Sequence, residues 1–384
     1  FSRVYTPIVV FLALGTAVLP PLVAGGDWNY WIYTALSFLV MSCPCALVLS
    51  VPLAFFSGIG AGSKKGILFK GGVALESMAD VKAVVMDKTG TITEGNFVLQ
   101  KTVTVGNTNE DTLLRLAASC EQVSTHPIAN SIVTAAKEKG MELTRPSTLK
   151  EIAGEGILAV MDGNVILCGN KKLMEHHNIN ISAYNNEVFG TEVLVAIEGE
   201  YAGYLVISDT IKADAKSAIA AIKKQNIVTA MLTGDAQNSA EAVAKETGID
   251  EVHAKLLPQD KLSTLKKLRE TYTSVMFVGD GINDAPVLAG ADVGAAMGSG
   301  ADAAIEAADV VFMTSSMSAI PDALRIAKSA VSISWQNIIF ALAIKIAVMI
   351  LGLCGFASMW MAVFADTGVA MLCVLNSIRV LYKK

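Results

Sequence analysis

Long apolar stretches lie at both ends of the chain, and the polar residues are concentrated between them. Four of these stretches approach the roughly 20 apolar residues that a helix needs to cross the hydrocarbon core of a bilayer. We therefore predict four membrane-spanning helices, at 4–23, 31–55, 337–353 and 359–380.

The distribution of basic residues predicts how these helices are oriented. The connections at 24–30 and 354–358 contain no basic residue. Because the cytoplasmic flanks of membrane helices are enriched in Lys and Arg, we expect both termini and the polar insert to lie in the cytoplasm. The basic residues that flank the helices are Arg3, Lys64, Lys65, Lys70, Arg379, Lys383 and Lys384.

The insert between the apolar ends alternates short apolar runs with amphipathic helical periods. The runs at 81–86, 227–232 and 275–278 each end in a turn rich in Gly and Asp. This alternation predicts a parallel α/β sheet whose ligand crevice lies at the carboxyl ends of its strands. Between 93 and 208 the strands are punctuated by Gly and helices are fewer, which predicts a second domain inserted into the first.

Composition narrows the class of protein. Of the 384 residues, 53% are hydrophobic and only 17% are charged, which agrees with membrane spans. The net charge of -5 argues against a nucleic-acid partner. The polar insert has only Cys120 and Cys168, which fits a reducing cytoplasm. Since the first residue is Phe1 and no signal peptide is recognisable, we expect the chain to start within a longer gene product.

An aspartate follows the first of these apolar runs. The segment 84–86 leads into Asp87, and a turn of hydroxyl residues and glycine comes directly after it. A carboxylate at the end of a buried strand can attack a phosphoryl group if a metal ion and cations neutralise the incoming charge. The pattern therefore predicts Asp87 as a nucleophile.

Later turns supply the other groups that phosphoryl transfer needs. Thr233-Gly234-Asp235 and Gly279-Asp280-Gly281-Ile282-Asn283-Asp284 each end an apolar strand, and Lys261 lies between them. We expect Asp280 and Asp284 to bind Mg²⁺, and Thr233 and Lys261 to contact phosphate oxygens.

The motifs DKTGT, TGD and GDGxND, in this order, resemble those of the P-type ATPases in the haloacid-dehalogenase superfamily. The resemblance implies ATP and Mg²⁺ as cofactors and phosphorylation of Asp87. It also implies that Asp87, Asp280 and the main-chain carbonyl of Thr89 hold Mg²⁺. The catalytic residues it implies are Asp87, Lys88, Thr89, Thr233, Lys261, Asp280, Asn283 and Asp284.

A second pattern resembles the adenosine-binding signature of the heavy-metal-transporting branch. It consists of ExxSxHP at 121–127, followed by Gly-rich turns. His126 can stack on adenine or hydrogen-bond to it, Glu121 can accept from the exocyclic amine, and glycines let the backbone approach the ring. The nucleotide-binding residues implied are Glu121, Ser124, His126, Gly154, Gly156 and Gly169.

The apolar ends contain a candidate site for a soft metal ion. Pro44, between Cys43 and Cys45, can open the helix so that both sulfurs reach one point. Lys345 and Asp366 are ionisable residues in the last two spans, where each costs on the order of 2.5–3.5 kcal/mol at the bilayer centre. Two thiolates and one carboxylate carry about -3, so a divalent ion together with the lysine brings the site near neutrality.

These membrane motifs match the subgroup that exports zinc, cadmium and lead, which implies Zn²⁺, Cd²⁺ or Pb²⁺ as the transported ion. The resemblance implies that Cys43, Cys45, Lys345 and Asp366 form its site. A structural ion pair between Lys345 and Asp366 is the simpler reading of those two residues. The copper-exporting relatives share CPC but place Tyr-Asn and Met/Ser patterns in the last two helices, and these are missing here.

The fold class expected is a multi-domain membrane protein with an α-helical transmembrane bundle, a cytoplasmic α/β haloacid-dehalogenase-like phosphorylation domain and an inserted α+β nucleotide-binding domain. The resemblance suggests the membrane of a bacterial cell. The predicted boundaries are 1–62 and 326–384 for the transmembrane hairpins, 63–95 with 208–325 for the phosphorylation domain, and 96–207 for the nucleotide-binding domain.

Other functions remain to be weighed. A membrane-anchored phosphatase of the same superfamily would need an acidic residue two positions after the nucleophile, and position 89 is Thr. A non-enzymatic metal-binding membrane protein would not need the intact catalytic set. The Thr-Gly-Glu loop of the actuator domain, which hydrolyses the aspartyl phosphate in the family, does not occur in this sequence, so we expect at most autophosphorylation from this chain alone.

Overall fold

A computed structural model describes residues 2–24, 27–42, 45–106, 108–124, 126–184, 190–298, 300–353 and 359–382. Two compact units make up the chain. The first contains Phe1–Val81, Ala308–Thr314 and Ala319–Lys384, and the second contains Lys82–Ala307 and Ser315–Ser318. The predicted domain boundaries divide the chain differently and stay a prediction.

Helices and strands alternate through most of the second unit, whereas the first unit is mainly helical. The helices are α1 Ser2–Ala24, α2 Trp28–Met41, α3 Cys45–Ser63, α4 Gly72–Ala79, α5 Glu110–Glu121, α6 Pro127–Glu138, α7 Lys171–His176, α8 Ala215–Lys223, α9 Gln237–Thr247, α10 Pro258–Tyr272, α11 Ala285–Gly290, α12 Asp302–Ala307, α13 Ala319–Leu353 and α14 Met359–Ile378. The strands are β1 Ile67–Phe69, β2 Ala83–Asp87, β3 Thr93–Thr104, β4 Thr148–Ile152, β5 Gly156–Met161, β6 Asn164–Gly169, β7 Thr191–Ile197, β8 Glu200–Ile211, β9 Val228–Leu232, β10 Glu251–His253, β11 Val275–Gly279, β12 Val293–Met297 and β13 Val310–Phe312.

Four helices of the first unit are long and apolar enough to cross a membrane. Their apolar segments are Thr6–Val23, Ala46–Ser63, Ala319–Leu351 and Val363–Tyr382. The first and last agree with the predicted spans. The other two differ from the prediction in ways that the sequence explains.

The predicted span at 31–55 is divided between two helices. The chain forms α2 up to Met41 and α3 from Cys45 onward. The intervening Cys43 and Pro44 lie outside the described residues, so the predicted opening of the helix at Pro44 stays a prediction. The apolar segment that could span a membrane is therefore shifted toward Ser63.

The predicted span at 337–353 is only the second half of α13, which has 35 residues. Its first half continues the helix because Ile320, Leu324 and Ala327 recur at the spacing of one helical face and are fully buried. This amphipathic pattern predicts a helix but not a membrane span, so the helix begins well before the stretch that hydropathy identifies.

The second unit contains the predicted parallel sheet. Five of its strands pair in the order β12-β11-β2-β9-β10, all parallel. Every residue of β2 and β11 is buried, as expected for strands covered on both faces. Because parallel strands end at the same edge, Asp87, Thr233 and Asp280 come together there.

A second, antiparallel sheet in this unit has the order β3-β8-β7-β6-β5-β4. Helices α5 and α6 cover one face through a core that includes Leu113, Ile132 and Leu205. Helix α7 covers the other face with Leu173 and Met174. The region is thus an α+β arrangement with Gly-rich turns, as its sequence pattern indicates.

Candidate functional site

Asp87 is the last residue of β2, and a tight turn, Lys88–Ile92, follows it. The turn depends on Gly90, which has φ of 72° and lies against the carboxylate of Asp280. A Cβ added at Gly90 would lie 1.7 Å from Oδ2 of Asp280, so only glycine fits without displacing that carboxylate. The turn and the end of β11 are therefore built to approach each other closely.

Three carboxylates converge at this edge of the sheet. Oxygen atoms of Asp87, Asp280 and Asp284 lie within 4.8 Å of one another. The Nζ atom of Lys261 lies 2.6 Å from Oδ1 of Asp87 and 3.0 Å from Oδ1 of Asp284. The structure therefore brings together four residues that lie up to 197 positions apart in the sequence.

The electrostatics of this cluster favour a bound cation. Burial, with a further contribution from Asp284, raises the pKa of Asp87 from 3.8 to about 6, and Lys261 opposes the rise. Burial and Asp284 also raise the pKa of Asp280. Burial alone would lower the pKa of Lys261, but Asp87 and Asp284 outweigh it and raise that pKa. Three carboxylates against one ammonium leave negative charge that a hard divalent ion can neutralise.

The donor set fits Mg²⁺. Carboxylate oxygens are its preferred protein ligands, and within the described part of the chain this is the one cluster of three His, Cys, Asp or Glu residues close enough to share an ion. Thr89 has an extended backbone, with φ of -72° and ψ of 132°. The role of its carbonyl as a Mg²⁺ ligand stays a prediction.

The remaining predicted catalytic residues lie near the same edge of the sheet. Lys88 is buried and forms an ion pair with Asp235. Thr233 is buried at the end of β9, and its hydroxyl accepts a hydrogen bond of 3.2 Å from the main-chain N–H of Asp235. Asn283 lies in the short turn Ile282–Asp284. Their individual roles are not tested by these contacts.

Two charged residues that the sequence analysis missed hold the turn after Asp87. Lys212 is 4% exposed, and its Nζ donates a hydrogen bond of 2.7 Å to the carbonyl of Gly90. Asp209 is buried and accepts from the hydroxyl of Thr93. Burial raises the pKa of Asp209 and lowers that of Lys212. No local sequence pattern indicates these contacts, because they join the end of β8 to a turn more than 100 positions earlier in the chain.

A cavity of about 300 Å³ lies beside the antiparallel sheet. All six residues predicted to bind nucleotide line it, although they come from separate turns and helix ends. These six residues are Glu121, Ser124, His126, Gly154, Gly156 and Gly169. The structure thus gathers them around one space large enough for a heterocycle and part of a sugar.

The walls of this cavity require close backbone contact. Gly156 and Gly169 are paired neighbours on β5 and β6, and a Cβ on either would come within 2.3 Å of a main-chain oxygen. Asn170 fixes the adjoining turn, because its Nδ2 donates to the Gly154 carbonyl at 2.8 Å and its Oδ1 accepts from the Leu173 N–H at 3.2 Å. The two glycines therefore have a packing reason to be glycine.

The carboxyl group of Glu121, in the wall of the cavity, is poorly solvated. Burial raises the pKa of Glu121 from 4.5 to about 7, although the Cys168 thiol, 3.8 Å from Oε1, lowers it slightly and Glu151 raises it. The neighbouring His126 caps α6, since its Nδ1 accepts from the Ile128 N–H at 3.2 Å. That contact leaves Nε2 as the ring nitrogen that can carry a proton.

The charge of the cavity discriminates between the two ends of a nucleotide. Four glutamates line it, and its described lining includes no Lys or Arg. A triphosphate would be repelled by these side chains, whereas a neutral base with an exocyclic amine can donate to them. The four residues are Glu121, Glu151, Glu155 and Glu192.

In the helical unit, Lys345 of α13 and Asp366 of α14 are in contact. Their Nζ and Oδ1 atoms are 3.4 Å apart, and the side chains are 17% and 29% exposed. Cys43 lies outside the described residues, and Cys45 begins α3 without a described side chain. The structure therefore brings two of the four predicted ion ligands together, and the complete ligand set stays a prediction.

The known proteins that are similar to this chain include metal-transporting ATPases. A family described as haloacid dehalogenase-like hydrolases matches residues 81–292. A cadmium, zinc and cobalt-transporting ATPase of Bacillus subtilis (strain 168) is 50% identical over all of this chain and 55% of its own length. A zinc-transporting ATPase of Synechocystis sp. (strain ATCC 27184 / PCC 6803 / Kazusa) is 47% identical, over 99% of this chain and 53% of that relative.

A solved structure extends the likeness to three dimensions. The crystal structure of a zinc-transporting PIB-type ATPase in its E2.Pi state has a TM-score of 0.89 and 36% identity, and the match covers 99% of this chain and 63% of that one. The resemblance to metal-transporting P-type ATPases and the predicted fold class are thereby confirmed. The chain spans about half the length of the curated relatives that it matches.

Proposed function

Because the chain belongs to the haloacid dehalogenase-like hydrolases, we propose that it carries the phosphorylation site, the nucleotide site and part of the ion site of an ATP-driven pump for soft divalent metal ions. The observation that carries the proposal is the occurrence, in one chain, of the Asp87 cluster and of the Lys345–Asp366 pair within apolar helices. Neither a simple phosphatase nor a passive metal-binding protein needs both.

At the phosphorylation site, the Asp87 carboxylate attacks the γ-phosphorus of ATP. The bond between that oxygen and phosphorus forms while the bond to the leaving ADP oxygen breaks, which gives an aspartyl phosphate. Lys261 lies where it can shift from Asp87 to the incoming phosphate oxygens. Mg²⁺, held by Asp87 and Asp280, would neutralise charge on the transferred group. Since position 89 is Thr rather than an acid, no neighbouring general acid speeds hydrolysis, and the aspartyl phosphate persists.

The nucleotide enters the acidic cavity with its base first. Glu121 accepts from the exocyclic amine of adenine, and His126 contacts the ring. The carboxylates of the cavity keep the triphosphate outside, where its terminal group is free to reach Asp87. Adenosine recognition and phosphoryl transfer are in this way assigned to different sheets of the same unit.

In the membrane helices, Cys43, Cys45 and Asp366 bind the transported ion, and Lys345 competes with it for Asp366. Zn²⁺ and Cd²⁺ suit a set of thiolates and one carboxylate, and Pb²⁺ suits the same donors. The names of the relatives support zinc and cadmium and add cobalt. The family resemblance implies export from the cytoplasm across a bacterial inner membrane, and the predicted cytoplasmic position of the polar insert agrees with it. A copper pump is the competing assignment.

Metal-stimulated ATP hydrolysis by the intact protein tests this function. Zn²⁺, Cd²⁺, Pb²⁺, Co²⁺ and Cu⁺ would be compared in the wild type and in Asp366→Ala. We expect stimulation by the divalent soft ions and its loss in the variant. Stimulation by Cu⁺ alone, or full zinc stimulation in Asp366→Ala, would reject the assignment.

A further inference from the structure

Apart from the Lys345–Asp366 contact, the helices of the first unit share a second polar cluster. It consists of Ser50 on α3, Asn337 on α13, and Asn376 and Ser377 on α14. Asn337 is 1% exposed, and Ser50 and Ser377 are fully buried. Buried polar side chains among apolar helices are costly unless they are paired, so their partners indicate what they do.

The Asn337 amide is fully used. Its Nδ2 donates to the Cys373 carbonyl at 3.1 Å and to the Ser377 hydroxyl at 2.8 Å. Its Oδ1 accepts from Nδ2 of Asn376 at 2.9 Å. The Ser377 hydroxyl lies 2.9 Å from two main-chain carbonyls, that of Ser50 on α3 and that of Cys373 on α14, and its one hydrogen can be donated to either. One amide thus connects α13 to α14, and one hydroxyl can carry the connection on to α3.

This cluster lies at a different level of the helices from the Lys345–Asp366 contact. Asn337 is eight residues before Lys345, about 12 Å along α13, and Ser377 is eleven residues after Asp366, about 16 Å along α14. An apolar cluster that includes Ala46, Leu47, Ala341, Val369 and Cys373 also joins the same three helices. Helices α13 and α14 are therefore joined by polar contacts at two levels.

The Lys345–Asp366 contact and the hydrogen bonds of Asn337 differ in how firmly they hold α13 against α14. The Lys345–Asp366 distance of 3.4 Å exceeds the roughly 2.7–2.9 Å of a well-formed charge-assisted hydrogen bond. The Asn337 contacts are of ordinary hydrogen-bond length, and they are directional. A slide or rotation of α14 would leave a buried amide unpaired, whereas the apolar contacts between the levels could re-form after a small shift.

We propose that Asn337 is a positioning residue that sets the register of α13, α14 and α3, and thereby the separation of Lys345, Asp366 and the start of α3. This rests on the proposed function, because it assumes that Asp366 binds the transported ion. The expected consequence is specific. Loss of the amide weakens ion binding while the rate at saturating ion is kept, since the nucleotide and phosphorylation sites are untouched.

The test measures zinc-stimulated ATP hydrolysis by the intact protein in nanodiscs, over a range of buffered Zn²⁺ concentrations. Asn337→Ser and Ser377→Asn are compared with the double exchange N337S/S377N, which restores an amide and a hydroxyl at exchanged positions. Asn29→Ser is the matched control, because it makes the same substitution at an exposed amide on α2, outside the cluster. Ser377→Ala serves as a milder variant if Asn337→Ser does not fold.

We expect each single exchange to raise the half-saturating Zn²⁺ concentration about tenfold, as the loss of a well-formed buried hydrogen bond does. The maximal rate should stay within about twofold, and the double exchange should recover most of the affinity. An unchanged half-saturating concentration, or a rise that the double exchange does not reverse, overturns the proposal. If Asp366→Ala keeps its zinc stimulation, the assignment of the ion site fails instead, so the two failures are distinguishable.

Discussion

The two lysine–aspartate contacts of this chain have the same chemistry in different surroundings. Lys261 lies 2.6 and 3.0 Å from two aspartates and faces three carboxylates in all. Lys345 lies 3.4 Å from the single carboxylate of Asp366. The first site carries excess negative charge and therefore favours an added cation. In the second, the lysine balances the carboxylate, so an ion that arrives must displace it.

Under the proposed function, this difference separates a resident ion from a transported one. A site with permanent excess charge would hold Mg²⁺ for each round of phosphoryl transfer. A balanced pair would release its ion when the lysine returns, as a pump requires. The predictions that follow would break this contrast or sharpen it, and they are ordered by expected size.

The largest effect is expected for Gly90→Ala, because the added Cβ would collide with the carboxylate of Asp280 in the phosphorylation site. We expect phosphorylation of Asp87 by ATP to fall by about a hundredfold or more, since displaced catalytic groups commonly cost that much. Acid-stable incorporation of labelled phosphate measures it. Gly95→Ala is the matched control, because Gly95 has a similar φ of 75° but its Cβ would meet nothing closer than 3.6 Å. Equal losses in both variants would contradict the collision.

A smaller effect is expected for Lys345→Met, which removes the cation from the balanced pair. We expect zinc to be released about tenfold more slowly, because Lys345 no longer competes for Asp366 and the ion alone compensates this half-buried carboxylate. Turnover and zinc retention on a desalting column measure this. Lys345→Arg keeps the charge and should stay closer to the wild type. Unchanged release in Lys345→Met would favour a purely structural ion pair.

Lys212→Met tests whether the hydrogen bond between Lys212 and Gly90 holds the turn of the phosphorylation site in place. The methionine keeps the apolar stem but loses the hydrogen bond to the Gly90 carbonyl, so we expect phosphorylation to slow by about tenfold. The Mg²⁺ concentration for half-maximal phosphorylation should rise with it. Lys216→Met, at an exposed position on the adjoining helix α8, is the control. A normal rate in Lys212→Met would show that the turn holds its shape without this contact.

The smallest effect concerns Glu121, whose pKa is raised from 4.5 to about 7. Between these values the folded state binds more protons than the unfolded state, so stability falls as pH rises from about 5 to about 8. Glutamine does not titrate, and Glu121→Gln should therefore gain several degrees in melting temperature over the wild type at pH 8 and little at pH 5. Glu138→Gln, exposed on α6, should show no such trend. A pH-independent difference would mean that the pKa of Glu121 is not raised.

Motifs at strand ends made the phosphorylation site predictable from the sequence. Asp87, Thr233 and Asp280 each follow an apolar run, and parallel pairing must bring such ends together. Lys212 was not predictable in this way. Its contact with Gly90 joins residues 122 positions apart and depends on how β8 passes the turn, which no local pattern encodes.

The ends of the helices were also only partly predictable from the sequence. Apolar content located the long apolar segments, but hydropathy does not give the ends of helices, and the predicted span at 31–55 falls partly on α2 and partly on α3. The six residues predicted to bind nucleotide line one cavity, and their role in binding stays a prediction. The acidity of the cavity was not predicted, since Glu151 and Glu192 reach it only through the pairing of the antiparallel sheet.

The measurement that tests the central claim most directly is the trapping of labelled phosphate on Asp87 of the intact protein. The wild type, Asp87→Asn and Asp366→Asn would each be mixed with labelled ATP, with and without Zn²⁺, and quenched in acid. The account predicts zinc-dependent labelling of the wild type, none in Asp87→Asn, and loss of the zinc dependence in Asp366→Asn. Labelling of the wild type that is equal with and without zinc would contradict the coupling of the two sites.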